Sequence, residues 1–218
     1  IWVSDAHMTS ADPNDPNLAR SDAGWTDLLT AAGYVVDNQG PEDVNVNGTM
    51  VTRPYWFNLD DAKLAALDEA ALVIISRDCS SGDVNNKIQV NANDPNDPNA
   101  VVDVQERTLW SSVQSPMMLM NVYIARANRW QWVNTNALGE RQDYNFIAPV
   151  DATHPLFAGV TLDPNTNDVQ WIDPCVASGF QSFLNGADAL GSGQALAVRP
   201  DNGMPQIAVW QAGTPFYA

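Results

Sequence analysis

Basic residues are scarce in this chain. It has ten lysines and arginines, only two of them lysine, against 26 aspartates and glutamates, for a formal net charge of −16. Phosphate groups are held by clustered cations, so nucleic acid and anionic membranes are not expected partners. Long apolar runs are also missing. No stretch approaches the ~20 residues of a membrane helix, and no membrane span is predicted in this segment.

Histidine and cysteine are almost absent. The two histidines, His7 and His154, and the two cysteines, Cys79 and Cys175, show no metal-ligand spacing such as Cys-x-x-Cys. Both cysteines follow predicted strands, so they either form a disulfide, if the protein is exported, or remain two thiols. The sequence leaves both alternatives open.

Aspartate and asparagine are abundant instead. The chain has 22 aspartates and 21 asparagines but only four glutamates. Such residues favour turns and oxygen-rich loops over helix interiors, and these loops suit calcium, a saline medium or an extracellular surface. With 218 residues, 45% of them hydrophobic, the chain is predicted to form one α/β domain over 1–218. It opens directly on a strand-like run, "IWVSD", which we interpret as the start of a piece excised from a longer precursor.

Strand-like and helix-like segments alternate along the first half. In chain order, the pattern predicts strand 1–5, helix 21–34, strand 34–38, helix 58–70, strand 71–77, helix 101–113 and strand 116–125. This alternation implies a mostly parallel, doubly wound sheet with right-handed crossovers. In the first helix, Trp25, Leu28, Leu29 and Ala32 share one face.

Other segments predict antiparallel pairing. An Asn-Gly pair predicts a hairpin over 44–52, and the turn "PDNGMP" predicts a closing hairpin. Segments 129–135 and 144–150 are interpreted as paired edge strands, and Pro155 begins a predicted short helix. A long polar insertion occupies about 78–100, and loops of this length are usually functional or mobile.

Three stretches, "ALVIISRDCSSGD", "WSSVQSPMMLMNVYIARANRWQWVNT" and "DATHPLFAGV", resemble a flavodoxin-like module found in large secreted or surface proteins of environmental bacteria. More distantly, the layout is similar to the ThuA-like and class I glutamine-amidotransferase-like fold. The resemblance implies an α/β, flavodoxin-like three-layer sandwich. Its mostly parallel central sheet would carry an antiparallel C-terminal hairpin. The module has no assigned activity.

The chain departs from working amidotransferases at two positions. These enzymes resemble one another in a Gly-x-Cys-x-Gly elbow and a His-x-Glu pair, whereas Cys79 lies in "RDCSS" and His154 is followed by proline and leucine. A Cys–His–Glu arrangement cannot be assembled from the matching positions. No catalytic residue is therefore predicted.

The sequence DPNDPN occurs twice, at 12–17 and 94–99. Its aspartate and asparagine oxygens are hard ligands of the kind that calcium prefers. The candidate metal ligands are Asp12, Asn14, Asp15, Asp94, Asn96 and Asp97. The prolines favour a polyproline II backbone, which sets successive aspartates about 9 Å apart, so one copy alone cannot chelate an ion. The alternative is a stiff, solvated turn loop.

A second candidate site lies where the parallel strands end, because ligands of open α/β sheets bind there. The candidate ligand-binding residues are Asp5, His7, Arg77, Ser81, Glu106, Trp110 and Asn121. They predict a small pocket for a sugar or another polar ligand. The alternative is a buried pair of Arg77 with Asp5 or Glu106 that joins loops to the sheet. Flavin or nucleotide is not expected, since no glycine after the first strand would let backbone N–H groups approach a phosphate.

Two tryptophans alternate in "RWQWV". On a strand, Trp130 and Trp132 would share one face and would either stack on sugar rings or cover the sheet as core. The preferred interpretation is a non-catalytic structural or binding module of an extracellular bacterial surface, matrix or filament protein. Its partners would be other copies or domains of the same protein, and calcium its candidate cofactor. The alternatives are a ThuA-like sugar-active enzyme and a carbohydrate-binding module.

Overall fold

The computed structural model describes ten ranges of the chain: 1–5, 22–46, 48–56, 59–82, 84, 87–88, 104–141, 146–171, 181–185 and 189–214. The chain groups into two compact units, Ile1–Ile124 and Ala125–Ala218. The architecture is mixed α/β, as predicted, with a parallel sheet in the first unit and an antiparallel sheet in the second. The single domain over 1–218 stays a prediction.

The secondary-structure elements are short. The described strands are β1 (Trp2–Val3), β2 (Glu42–Val46), β3 (Thr49–Arg53), β4 (Val73–Ile75), β5 (Lys87–Ile88), β6 (Val104–Gln105), β7 (Met117–Leu119), β8 (Leu138–Arg141), β9 (Phe146–Pro149), β10 (Val169–Gln170), β11 (Gln181–Leu184), β12 (Gln194–Val198) and β13 (Pro205–Val209). The described helices are α1 (Ala23–Ala31), α2 (Asp61–Asp68), α3 (Glu106–Ser112) and α4 (Val122–Ala125), with a turn of 3-10 helix at Pro155–Phe157. Within these ranges, none of the helices has the length and apolarity that crossing a membrane requires.

A parallel sheet of order β1-β4-β7 organises the first unit. Its middle strand is fully enclosed, with Val73 and Ile75 at 0% exposure. A strand covered on both faces reads as a continuous apolar run rather than as an alternating one, which explains the Val-Ile-Ile sequence of β4. The predicted strand at 71–77 is therefore confirmed in this core segment.

Two predicted strands of this unit differ from the structure. Residues 34–38 form no strand. They touch β1 through one hydrogen bond, from the Trp2 amide to the Asp37 carbonyl at 2.8 Å, while Val35 is 99% exposed. The apolar run at 116–125 is divided into β7 and α4, because the Asn121 Oδ1 accepts the Tyr123 amide at 2.9 Å and turns the chain. Strand propensity alone does not bury a segment that no layer covers.

The β2–β3 hairpin and helix α2 form as predicted. Gly48 turns the hairpin with φ of 83°, and the Asp60 side chain caps α2 by accepting the Lys63 amide at 2.8 Å. Lys63 itself is buried. Its Nζ lies 2.6 Å from Glu42 Oε1 and 4.7 Å from the centre of the Tyr55 ring, so one ion pair joins α2 to the hairpin.

The second unit contains an antiparallel sheet of order β10-β9-β12-β13. Its core is formed by Ile147, Phe157, Val169 and Ala197. The predicted closing hairpin is confirmed as the β12–β13 pair. The sheet is antiparallel and separate from the parallel one, so the prediction of a mostly parallel sheet holds only for the three strands of the first unit.

The prediction of a strand at 129–135 is wrong. These residues form turns, and Gln131 has φ of 62°, a left-handed conformation that interrupts a strand. Strand β9 pairs instead with β10 and β12. The short helix at Pro155 is confirmed, and His154 caps it by accepting the Leu156 amide on Nδ1 at 3.2 Å.

Replacing Gly193 by alanine is expected to destabilise the second unit. An added Cβ would lie 2.6 Å from Nε1 and 2.7 Å from Cζ2 of the Trp210 ring, closer than any real contact. Overpacking of this kind costs about 1–3 kcal/mol. Gly40 is the matched control, because its Cβ would meet nothing within 4 Å. Urea unfolding should therefore show a lower free energy of unfolding for Gly193→Ala than for the wild type, and no such decrease for Gly40→Ala. Equal effects would contradict the role of the Trp210 contact.

Candidate functional site

The carboxyl ends of β1, β4 and β7 lie at one edge of the parallel sheet. The register pairs Val3 with Ile75 and Ile75 with Leu119, so the residues after these strands are brought together. The carboxyl edge is defined here as Ser4, Asp5, residues 76–81 and Asn121. It contains most of the described residues predicted to bind a ligand.

Asp5 holds the loop that follows β4. Its side chain is 7% exposed, and Oδ2 accepts the Ser80 amide at 2.5 Å. Ser76 acts in the same loop: its Oγ donates to Ser4 Oγ at 3.4 Å and accepts the Asp78 amide at 3.0 Å. The β1 end is therefore joined to the β4 loop by side chains.

Asn121 holds this loop from the other side. Its Nδ2 donates to the Cys79 carbonyl at 2.8 Å and to the Arg77 carbonyl at 3.3 Å. Since its Oδ1 accepts the Tyr123 amide, the amide group bridges the loop to the start of α4. Asn121 belongs to the carboxyl edge as predicted, and the partners seen here are backbone groups.

Arg77 points to solvent. Its side chain is 68% exposed, and its Nε lies 4.0 Å from Asp78 Oδ1. The alternative of a buried arginine–carboxylate pair is therefore wrong, because this side chain is not buried. Ser81 is half-buried in the turn that follows.

Glu106 and Trp110 contact each other on helix α3. Both are 0% exposed, and Trp110 Nε1 donates to Glu106 Oε1 at 3.4 Å. The four-residue spacing places both side chains on the same helix face. The indole N–H therefore supplies one hydrogen bond of this buried carboxylate.

The remaining predicted site residues lie outside the described ranges. These are His7 and the six candidate metal ligands Asp12, Asn14, Asp15, Asp94, Asn96 and Asp97. In the part of the chain that the structure describes, no group of three or more histidine, cysteine, aspartate or glutamate side chains is placed to hold a metal ion. The calcium hypothesis for the DPNDPN segments stays a prediction.

Cys79 carries a buried thiol at 1% exposure, and Cys175 lies outside the described residues. The Cys79 amide donates to the Ser76 carbonyl at 3.2 Å, and its own carbonyl accepts from Asn121. This residue thus contributes its backbone to the carboxyl edge, while its sulfur is enclosed.

The tryptophan pair of the second unit is not an exposed platform. Trp130 is 2% exposed, and its ring centre lies 5.6 Å from that of Trp132. Trp132 in turn lies 5.7 Å from Trp210. The three rings form a packed cluster, which is the core alternative rather than the sugar-stacking one.

Two buried polar contacts were not anticipated. Asp22, at 1% exposure, accepts Trp2 Nε1 at 2.5 Å instead of capping α1 with its side chain. Arg199, at 0% exposure, donates to both Asp201 oxygens, at 2.9 and 2.6 Å, and orders the turn of the closing hairpin. The Arg-x-Asp spacing in that turn is a local signal from which the second contact is predictable. The first joins residues 20 apart and has no local signal.

Comparison of the chain with protein-family models, curated proteins and solved structures finds no match. The resemblance to a flavodoxin-like module therefore stays a prediction.

Substituting Asn121 by alanine is expected to destabilise the first unit by about 1–3 kcal/mol, because it removes hydrogen bonds to two carbonyls and one amide. Arg77→Ala is the control on the same edge, and exposed substitutions change stability by only about 0.5 kcal/mol. Chemical denaturation of both variants checks this. If Arg77→Ala lowered the free energy of unfolding as much as Asn121→Ala, the role of the Asn121 hydrogen bonds in holding the loop would be contradicted.

The pH dependence of stability is expected to include Asp163. Amide hydrogen bonds from Asn165 and Thr166 lower the pKa of this exposed carboxyl group. A group whose pKa is lower in the folded state stabilises the protein above its unfolded pKa, and this stabilisation is lost as the pH falls. The difference between the thermal unfolding midpoints of the wild type and Asp163→Asn should therefore stay constant from neutral pH down to the unfolded pKa of about 4, and should decrease as the pH falls further. A difference that is constant with pH would contradict this.

Proposed function

We propose that this chain is a non-catalytic structural or binding module of an extracellular bacterial surface, matrix or filament protein, built on a flavodoxin-like three-layer sandwich. The observation that supports the proposal is the use of the carboxyl edge. In open α/β enzymes this edge presents side chains to a ligand. Here Asp5 and Asn121 bond the backbone of the neighbouring loop.

The bonding capacity of these side chains favours a structural role. An asparagine has two N–H donors, and Asn121 directs its amide nitrogen to two carbonyls of one loop. A substrate would have to displace bonds that hold the loop in place. Arg77 is exposed to solvent, whereas Asp5 is buried.

A ThuA-like sugar-active enzyme requires Asp5, His7, Arg77 and Glu106 to converge on one open pocket, and His7 lies outside the described residues. The other three have different settings: Asp5 is buried under the Ser80 amide, Arg77 is exposed, and Glu106 is buried against Trp110. A carbohydrate-binding module requires Trp130 and Trp132 to be exposed side by side, and Trp130 is 2% exposed. The structural interpretation is therefore favoured over both alternatives.

The acidity of the chain supports an extracellular setting and calcium as the ion. With 26 acidic against ten basic residues, the surface repels itself, and a divalent cation relieves that repulsion between neighbouring modules. The two DPNDPN segments are the proposed ligands, and other copies or domains of the same protein are the proposed partners.

Calcium is expected to raise the thermal unfolding midpoint by several degrees relative to excess chelator, because an ion that binds only the native state stabilises it. Magnesium at the same concentration is the control for unspecific screening. The variants Asp12→Asn/Asp15→Asn and Asp94→Asn/Asp97→Asn should each reduce the shift. An unfolding midpoint that is equal in calcium and in chelator would contradict the proposed calcium site.

The absence of catalysis is tested separately. We expect the wild type to release no product from a panel of aryl glycosides above the rate in buffer. Turnover that is lost in both Asp5→Asn and Arg77→Ala would overturn the proposal in favour of the enzyme. Folding of each variant is checked by its unfolding midpoint.

A further inference from the structure

Helix α1 presents its apolar side to solvent. Its inward-facing residue is Thr26, at 7% exposure, whereas Trp25 is 49% and Leu28 is 62% exposed. An amphipathic helix normally buries its apolar stripe. In this unit the stripe is left uncovered.

The end of the helix extends this surface. Gly33, with φ of 91°, donates its amide to the Thr30 carbonyl at 2.9 Å, and the Tyr34 amide donates to the Leu29 carbonyl at 3.1 Å. This pair of bonds is a Schellman motif, which folds the residue after the glycine back toward the last turn of the helix. Tyr34 is 65% and Val35 is 99% exposed. The outer face of α1 is defined here as Trp25 and Leu28 of the helix together with the exposed residues Tyr34 and Val35 that follow it.

Charge restricts what can cover this face. Between residues 23 and 36 the single charged residue is Asp27, in a chain that carries 36 charged residues. The face thus has no cation for an anionic lipid or an acidic peptide, and no acidic cluster for a basic partner. An uncharged apolar surface fits another of the same kind, and a second copy of this chain supplies one.

The area of this face is close to the lower limit for a specific dimer. An aromatic side chain buries roughly 150–250 Å² when fully covered, and Trp25 and Tyr34 are about half and two-thirds exposed. With Leu28 and the fully exposed Val35, two copies together approach the ~1,000 Å² from which specific interfaces begin.

We infer that two copies of the chain associate through the outer faces of α1, related by a two-fold axis. In such an interface the same patch serves both partners, so each Leu28 packs near its counterpart or near the partner's aromatic rings. The inference rests on the proposed function in one respect, since it names a second copy as the partner of the module.

Sedimentation equilibrium of the 23.7 kDa chain over a wide concentration range tests this inference. The wild type should approach twice the monomer mass, and Leu28→Glu should raise the dissociation constant at least ~10-fold, since it places two like charges in an apolar contact. Met50→Glu is the matched control. It adds the same charge, and Met50 is 61% exposed on β3, outside the outer face. Higher salt should tighten the dimer by screening the repulsion between two chains of charge −16.

Three results would overturn the inference: a monomer at every concentration, a dimer that Leu28→Glu leaves intact, or an equal loss in both variants. Binding of the wild type, but not of Leu28→Glu, to uncharged phosphatidylcholine vesicles would also overturn it and assign the face to lipid. Circular dichroism confirms that each variant is folded. None of these outcomes measures turnover or calcium binding, so failure of the dimer is distinguishable from failure of the proposed function.

Discussion

The loop after β4 depends on side chains that reach it from both neighbouring strands. The parallel strands are only two or three residues long, so their ladders supply few hydrogen bonds. Asp5 at the end of β1 and Asn121 after β7 hold the loop by its amides and carbonyls. Because backbone groups in a covered loop must be paired, these two residues complete the sheet where the ladder ends.

A second constraint follows from the shortage of cations. Buried carboxylates require partners, and this chain has few lysines and arginines to supply them. Neutral N–H groups contribute to this pairing: an indole donates to Asp22, another indole to Glu106, and a backbone amide to Asp5. Trp2 and Trp110 therefore act as hydrogen-bond donors as well as apolar bulk.

Local signals in the sequence predicted local structure well. The apolar run of β4, the Asn-Gly turn of the hairpin and the proline of the 3-10 helix act through backbone preferences of a few adjacent residues, and all three elements form. The mixed α/β class also follows from the alternation of segments. The segments 34–38 and 129–135 failed for another reason. Their apolar residues have strand propensity, but a strand exists only if a neighbour is present to pair with it.

The sequence predicted which residues lie at the carboxyl edge, but not which groups their side chains contact. Strand ends identified Asp5, Arg77 and Asn121 as neighbours, since parallel strands finish at one edge. Whether each side chain turns to the backbone or to solvent depends on contacts between residues far apart in sequence. Asp5 and Ser80 are 75 positions apart, and Asn121 and Cys79 are 42 apart. The spacing of apolar residues along the sequence does not indicate such long-range contacts.

The burial of Cys79 gives this edge a chemical reporter. A thiolate reacts with an alkylating reagent only when the reagent reaches the sulfur, and at 1% exposure it cannot do so while the loop is closed. With Cys175 replaced by serine, the alkylation rate would measure how often the loop leaves the sheet, and hence the free energy of that local opening. The enclosed sulfur thus makes the dynamics of the edge accessible to a simple kinetic experiment.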